Sequence, residues 1–383
     1  MKPESIPDAR LGAPQAGAFV QAIGPNDLVY FLCNVGDGDS QVVLLPERTI
    51  NSVTRRRIIV VDVATVSKVI RLINAINEVG LLGPQGIDPG TIALAVATHP
   101  HEDHIGGMEE LLTTFKGKIA EFWDSGYYHS GAAYIAMMNA IAEDTQLVFS
   151  QPTSGLRRWI DNVVVTVISP SIQLRNRYDS YGVEINDSSI SLRLEFPASR
   201  VRKEGDERHY LRDRVFQSLI LGADAQTESW AAVFQDFPRL LPSESPIAKQ
   251  LNMARGGDEL RANVLKVSHH ASKHGVNLEL VERLNPNLTL ISSVGDGGSY
   301  RFPHTVSQEL IREAKQALAS KPNNTPRSKD HDLGIFYTSD TTQANQKLGT
   351  IAVIMDGSQK RQLWRFCDDR GERINFDRAR LWL

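Results

Sequence analysis

Between Thr98 and Gly107 the chain reads Thr-His-Pro-His-Glu-Asp-His-Ile-Gly-Gly. His99, His101, Asp103 and His104 fall within six residues, in a chain with only 10 histidines among 383 residues. Imidazole and carboxylate are the ligands that a borderline divalent ion such as zinc prefers. On extended backbone, residues two apart point the same way. His99 and His101 can therefore grip one ion together, while Asp103 and His104 reach a second. Gly106 and Gly107 let the backbone turn tightly into the next helix.

Such a cluster must be held by regular elements. Ile92 to Ala97 is an apolar run of strand length, and Met108 to Phe115 has helical spacing, so the histidines lie on a strand-to-helix loop. Upstream, Leu28 to Cys33 and Gln41 to Leu45 flank Asn34 to Ser40 (NVGDGDS), whose Gly and Asp content marks a hairpin turn. Ile58 to Val63 is nearly all apolar, as in a strand covered on both faces, and Ser67 to Leu82 carries one apolar helical stripe. Downstream, strands are expected over 119–123, 163–168, 190–196, 216–221, 264–267, 288–291, 335–337, 350–354 and 362–366, with helices over 132–142 and 305–319. Residues 1–22 read as a flexible leader, and 23–383 as one layered α/β domain. The segments 200–214 and 321–332 read as polar or charged insertions.

The pattern His-x-His-x-Asp-His after an apolar strand resembles the signature of the metallo-β-lactamase superfamily. The finer resemblance is to the hydrolase domain of the ComEC competence proteins and their free-standing relatives. It rests on NVGDGDS, THPHEDHIGG, NDSSISLRL leading to LILGAD, VLKVSHHASKHG and SVGDGGSYRFPHT. The resemblance implies an αββα four-layer sandwich and one or two divalent ions, zinc or manganese. It implies that Asp62 supports the ligands from behind, that Asp224 bridges the metals and that His269 is the final ligand, with His270 beside it. Ala271 stands where the family usually has glycine, and Phe302-Pro303-His304 departs from the usual Gly-His-Pro order. The superfamily's histidine between the motif and the bridging aspartate has no obvious counterpart. Of the two in that interval, His209 reads as solvated surface, and His129, with Asp124, follows a strand and can lie near the metals.

The chemistry implied is hydrolysis. Ions held by His99, His101, Asp103, His104, Asp224 and His269 would acidify a water. Asp103 would orient it, and His270 or His304 would protonate the leaving oxygen. The ComEC-like pattern favours a phosphodiester, so a nuclease or phosphodiesterase acting on nucleic acid is expected. Alternatives are a small-molecule hydrolase for a lactone, β-lactam or thioester, and a metal-binding module without catalysis. Arg55 to Arg57, Arg175 to Arg177 and the segment 200–214 could meet a phosphate backbone, although basic runs are more often solvated faces. Asp37 and Asp39 read as turn formers, Asn186 and Asp187 as a cap or a part of the site, and Lys266 as a snorkelling or edge lysine that could instead reach phosphate.

Bulk composition sets the outer limits. Net charge is -3, so the whole molecule offers no electrostatic case for a polyanion. Hydrophobic content of 41% and charged content of 23% suffice for a full core. The two cysteines, Cys33 and Cys367, exclude a disulfide framework and a cysteine-rich zinc site. The N-terminus lacks the apolar run of a signal peptide, and no stretch approaches the ~20 apolar residues of a membrane span. A cytoplasmic enzyme without membrane contact is the expectation.

Overall fold

The computed structural model describes residues 5–383 except 65, 176–182, 199, 205–206, 212–215, 240–257, 296–297, 299, 319–328, 359 and 368–373. The strands are β1 (Leu28–Leu32), β2 (Ser40–Leu44), β3 (Arg48–Ile50), β4 (Val53–Arg55), β5 (Ile58–Val63), β6 (Ile92–Ala97), β7 (Glu121–Asp124), β8 (Val148–Ser150), β9 (Arg157–Ile160), β10 (Val163–Ser169), β11 (Ser191–Phe196), β12 (Arg200–Glu204), β13 (Glu207–Leu211), β14 (Gln217–Leu221), β15 (Val264–Lys266), β16 (Leu288–Ile291), β17 (Ile335–Tyr337), β18 (Leu348–Met355), β19 (Arg361–Cys367) and β20 (Ala379–Leu381). A nine-stranded sheet runs in the order β20-β19-β18-β1-β2-β5-β6-β7-β8, and a seven-stranded sheet in the order β17-β16-β15-β14-β11-β10-β9.

Strand alternation explains how the two sheets stack. In β1, Leu28, Tyr30 and Leu32 face the second sheet, where they meet Val163, Val165 and Leu192 among others. The intervening Val29 and Phe31 face the other way, with Val69, Leu72, Ile73 and Ile76 from the helix Val66–Glu78. The second sheet turns Ile220, Leu265 and Ile291 outward onto Trp230, Val233, Leu280 and Ile311 from the helices Thr227–Asp236, Leu278–Leu284 and Thr305–Leu318. Three apolar interfaces between four layers make an αββα sandwich. Central strands such as β1, β5 and β6 are apolar on both faces because each sheet is covered twice. This is the architecture that the sequence implies.

Each sheet has a parallel part. In the first, β5, β6, β7 and β8 run parallel, and in the second β14, β15, β16 and β17 do. Parallel strands deliver their carboxyl ends to one edge, where ligand-binding loops collect in open α/β sheets. Asp62, His99, Asp124, Asp224, His269 and Ser292 all lie at or just beyond such ends.

Two expectations need correction. Over its described part, 5–22, the N-terminal segment is docked. Ile6 bridges Thr342, Leu11 bridges Trp382, and Phe19 is fully buried against Phe31, Trp364, Phe366 and Phe376. Acids and prolines gave this stretch a leader-like look, but its few apolar residues sit where they fill the core. In the segment 200–214, expected as a charged loop, the described residues form an antiparallel ribbon, β12 with β13. Residues 321–328 of the second expected insertion lie outside the described residues, and its end is anchored by Asp330, buried and paired with Arg312. Among the described residues no helix is long and apolar enough to cross a membrane.

Docking of the N-terminal segment predicts that Phe19→Ala costs about 3–5 kcal/mol of folding stability, as for other buried aromatic truncations. Urea unfolding would measure it, and a loss within ~0.5 kcal/mol, typical of surface changes, would return the segment to leader status.

Candidate metal centre

Asp62 is the deepest anchor of the site. It is fully buried at the end of β5 with a left-handed backbone, φ 58°. One carboxylate oxygen accepts from Thr98 N at 2.8 Å. The other accepts from Thr98 Oγ1 at 2.8 Å and from His104 Nδ1 at 2.8 Å. Since Thr98 spends its single hydroxyl proton on Asp62, its oxygen can only accept from His99 Nδ1, 3.1 Å away. His99 and His104 thus both carry a proton on Nδ1 and turn Nε2 to the cleft. A ring nitrogen fixed in this way by an outer partner is the usual support of a metal-binding histidine.

His270 is held by the same logic. Its Nδ1 lies 2.9 Å from Ser292 Oγ, and Ser292 donates to Asp39 Oδ1 at 2.6 Å. The hydroxyl proton is committed to Asp39, so His270 must donate and its Nε2 is left bare. Asp39 makes a direct ion pair with Lys266, both side chains being fully buried. Asp39 is therefore more than a turn former, and Lys266 neither snorkels nor lies at an edge. Asp37 accepts from Val294 N at 2.8 Å. Gly38 lets the hairpin turn press on the histidine loop, because a Cβ there would lie 2.7 Å from Asp103 O.

The bare nitrogens converge on Asp224, which is buried just past β14. Its Oδ1 lies 3.2 Å from His104 Nε2 and 3.7 Å from His270 Nε2. Its Oδ2 lies 3.6 Å from His269 Nε2 and 3.8 Å from His99 Nε2. Asp103 Oδ2 is 3.8 Å from His270 Nε2 and 3.9 Å from His104 Nε2. His101 Nδ1 faces His99 Nε2 at 3.1 Å. In the groups His99–His104–Asp224 and Asp103–His104–His270, the candidate ligand atoms lie within 4.8 Å of one another.

The donor set fits divalent cations. His104 Nε2, His270 Nε2 and Asp224 Oδ1 are buried and have no hydrogen-bond partner among the described residues. A buried polar atom without a partner is costly. Three of them aimed at one small volume are explained together by a cation. Burial resists charge on His104, yet Asp224 and Asp62 outweigh it and hold its pKa well above the usual value. Burial also opposes charge on Asp224, but the adjacent histidines keep its pKa well below the usual carboxylate range. Burial, reinforced by the charge of His104, drives the His99 pKa well down, which suits a neutral ligand.

The remaining candidates divide. His101, Asp103, Asp224 and His269 line a cleft of about 670 Å³ together with Asp37, Asn186, Tyr300 and Phe302. His304 is not among its lining residues, and its Nδ1 accepts from Val306 N at the start of the helix Thr305–Leu318. Asp124 is buried and accepts from Gly126 N and Gln151 Nε2, each at 3.0 Å. His129 accepts from Gly131 N, and it lies close enough to His101 for its charge to oppose protonation there. Asp187 caps the helix Thr227–Asp236 by accepting from Ser229. Asn186 stays at the cleft. Arg55 pairs with Asp88 and Arg57 with Asp161, while Arg56 is buried on Asp27 O and Leu45 O, so this basic run is already occupied. Arg177 and the side chain of His209 lie outside the described residues.

Residues 53–148 match the family model described as Metallo-beta-lactamase superfamily. The matched stretch resembles that superfamily and contains the whole histidine motif with Asp62 behind it. ComE operon protein 3 of Bacillus subtilis (strain 168) is 34% identical over 94 residues, 22% of this chain and 12% of the relative. The chain thus spans a small part of that relative's length. Among solved structures, the metallo-beta-lactamase fold protein YhfI from Bacillus subtilis aligns over 79% of this chain and 98% of its own, with 11% identity and TM-score 0.35. A long form RNase Z from yeast aligns over 70% and 37%, with 10% identity and TM-score 0.33. A diphosphatase from the PhnP family aligns over 82% and 95%, with 11% identity and TM-score 0.32.

Two outcomes are expected from this geometry. Asp39→Ala strands Lys266 as a buried unpaired charge and should cost about 3–5 kcal/mol in urea unfolding; under ~1 kcal/mol would show that Lys266 is served by another acceptor. Burial raises the Asp124 pKa from 3.8 to about 6, more than its hydrogen bonds lower it. The folded state then holds this proton more tightly than the unfolded one. Its stabilising effect is complete below about pH 4 and fades as pH rises through about 6, a swing on the order of 3 kcal/mol. Asp124→Asn should remove that slope when both proteins are unfolded in urea from pH 4 to 7; parallel profiles would refute the assignment.

Proposed function

We propose that this protein is a two-metal phosphodiesterase acting on nucleic acid. The observation that carries the reading is the division of Asp224, whose two oxygens each serve a different pair of histidines. Paired cations bridged by one carboxylate suit in-line attack at phosphorus, because they can meet both the entering and the leaving oxygen. The ComEC-like motifs favour the phosphodiester over a carbonyl substrate.

In this reading His99, His101, His269 and Asp224 would hold one ion, and Asp103, His104, His270 and Asp224 the other. His269 would then supply the ligand for which the sequence offers no middle histidine, and His270 would be a ligand where a proton donor was expected. When bound, the ions would lower the pKa of water towards neutrality and neutralise charge on the phosphoryl oxygens. The chain's own part is orientation and proton handling. Partial burial resists charge on Asp103, but the neighbouring His270 and His104 hold its pKa well below the usual range. It remains an ionised acceptor at the cleft and would orient the attacking water. Thr98, Ser292, Asp39 and Asp62 fix the histidine tautomers, so no reorientation is needed during the reaction.

Protein purified without chelator should contain zinc or manganese. It should hydrolyse bis-p-nitrophenyl phosphate and single-stranded DNA. His101→Ala and Asp224→Ala should lower the rate by more than about 100-fold, beyond the loss expected from altering an outer partner. Bound metal with no diester cleavage would overturn this reading in favour of a carbonyl substrate such as a lactone or thioester. Absence of metal would point to a binding module.

A further inference from the structure

The metal cleft has an aromatic wall that the hydrolytic reading leaves unused. Phe302 packs against the two histidines after β15, with ring centroids 5.4 Å from His269 and 5.6 Å from His270. Tyr300 stacks on Phe302 at 5.7 Å with the planes 19° apart. Tyr300 nevertheless remains 70% exposed. One face of its ring is covered by Phe302. Both rings line the same cleft as His101, Asp103 and Asp224. Across that cleft, the side-chain oxygen of Asn186 is buried and has no hydrogen-bond partner among the described residues.

An isolated exposed aromatic needs no explanation. This one differs in three respects. Its orientation is set by a second ring, that ring is fixed by the candidate ligands themselves, and it lines the cleft where a phosphate would bind. A planar π-surface stacks well on such a ring, whereas a bare sugar or an alkyl chain gains less. Protein sites for single strands pair a phosphate-binding groove with stacking aromatics, because every base has a π-face. The orphaned Asn186 oxygen adds an acceptor for the N–H groups that bases carry and alkyl esters lack.

We infer that Tyr300, backed by Phe302, is a stacking subsite for a nucleobase attached to the phosphate held at the metal centre. The substrate class is therefore a base-bearing phosphodiester, a single strand or short nucleotide. A duplex is disfavoured, because its bases are already stacked on one another. This inference rests on the proposed phosphodiesterase reading and deepens it.

The test compares kcat/KM for oligothymidylate with that for an abasic strand of the same length, and measures binding of thymidine 5′-monophosphate against ribose 5-phosphate by calorimetry. Wild type should prefer the base-bearing ligand by about tenfold in both assays, the order expected for one stacked base. Tyr300→Ala should abolish the preference while keeping metal content and abasic cleavage, and Tyr300→Trp should preserve it. Equal handling of base-bearing and abasic strands by wild type overturns the subsite but leaves the phosphodiesterase reading intact. A preference that survives Tyr300→Ala also overturns it. If no diester is cleaved, the hydrolytic reading fails by itself. The calorimetric comparison then decides the subsite, because Tyr300-dependent preference for the nucleotide supports it and equal binding rejects it.

Discussion

The structure depends on one electrostatic arrangement, several carboxylates and histidines brought together out of water. Isolated buried charges of this kind would be prohibitive. Here the outer carboxylates are matched within the chain. Asp62 is satisfied by Thr98 and His104, and Asp39 by Ser292 and Lys266. Asp224 lies amid four histidines. Matching on the outer side forces the inner side to be bare. Each serine or threonine hydroxyl has one proton, and that proton goes to a carboxylate, so each neighbouring imidazole must donate outward. The same hydrogen bonds that permit burial therefore prepare the nitrogens for a cation.

The two sheets are needed because the candidate ligands are split between them. The histidine loop follows β6 of the first sheet, while Asp224, His269 and Ser292 follow β14, β15 and β16 of the second. The halves are braced across by Ile190 N, which donates to Thr98 O at 2.9 Å, and by Lys266 and Ser292, which both reach Asp39. Within each half, Asp39 N donates to Asp103 O at 3.1 Å and His269 N to Ala223 O at 2.8 Å. A rigid sandwich, close-packed on three interfaces, can hold ligand atoms to the tolerance that a metal requires. Loops carried on a single sheet would lack that cross-bracing.

Much of this was legible in the sequence. The strands at Ile58 to Val63 and Ile92 to Ala97 were readable because both faces are buried, and the helix from Val66 because one stripe is apolar. The histidine motif was readable because its ligands are close in sequence. Contacts between distant segments were not. Nothing in the pattern of VLKVSHH says that Lys266 reaches Asp39, 227 residues away, nor that His270 rather than His269 lies nearer Asp103. That choice is made by two successive left-handed residues, which twist the pair away from simple alternation. Docking of Phe19 was missed for a related reason: a single aromatic in a polar stretch has no period to detect. The exposed Tyr300 carried no signal either, since stacking is a relation between rings and leaves no mark in composition.

Backbone strain marks the same place. Among the described residues, five of the eleven non-glycine positions with positive φ are Asp62, Ala223, His269, His270 and Ala271. Each costs about 1–2 kcal/mol relative to ordinary backbone, and strain of this kind persists only where surroundings over-determine it. They do so here. The run His269 to Ala271 is pinned at its start by Ala223 O and at its end by His304 N, which donates to Ala271 O. Ala271, at φ 60°, also explains why glycine is usual at this position among the relatives that the motif resembles, because glycine adopts this backbone without steric cost. This chain keeps a Cβ there and holds it in a fully buried pocket. The left-handed run turns two adjacent imidazoles to opposite oxygens of Asp224. A regular strand or helix would point them elsewhere, so the strain is the means by which one His pair serves both halves of the centre.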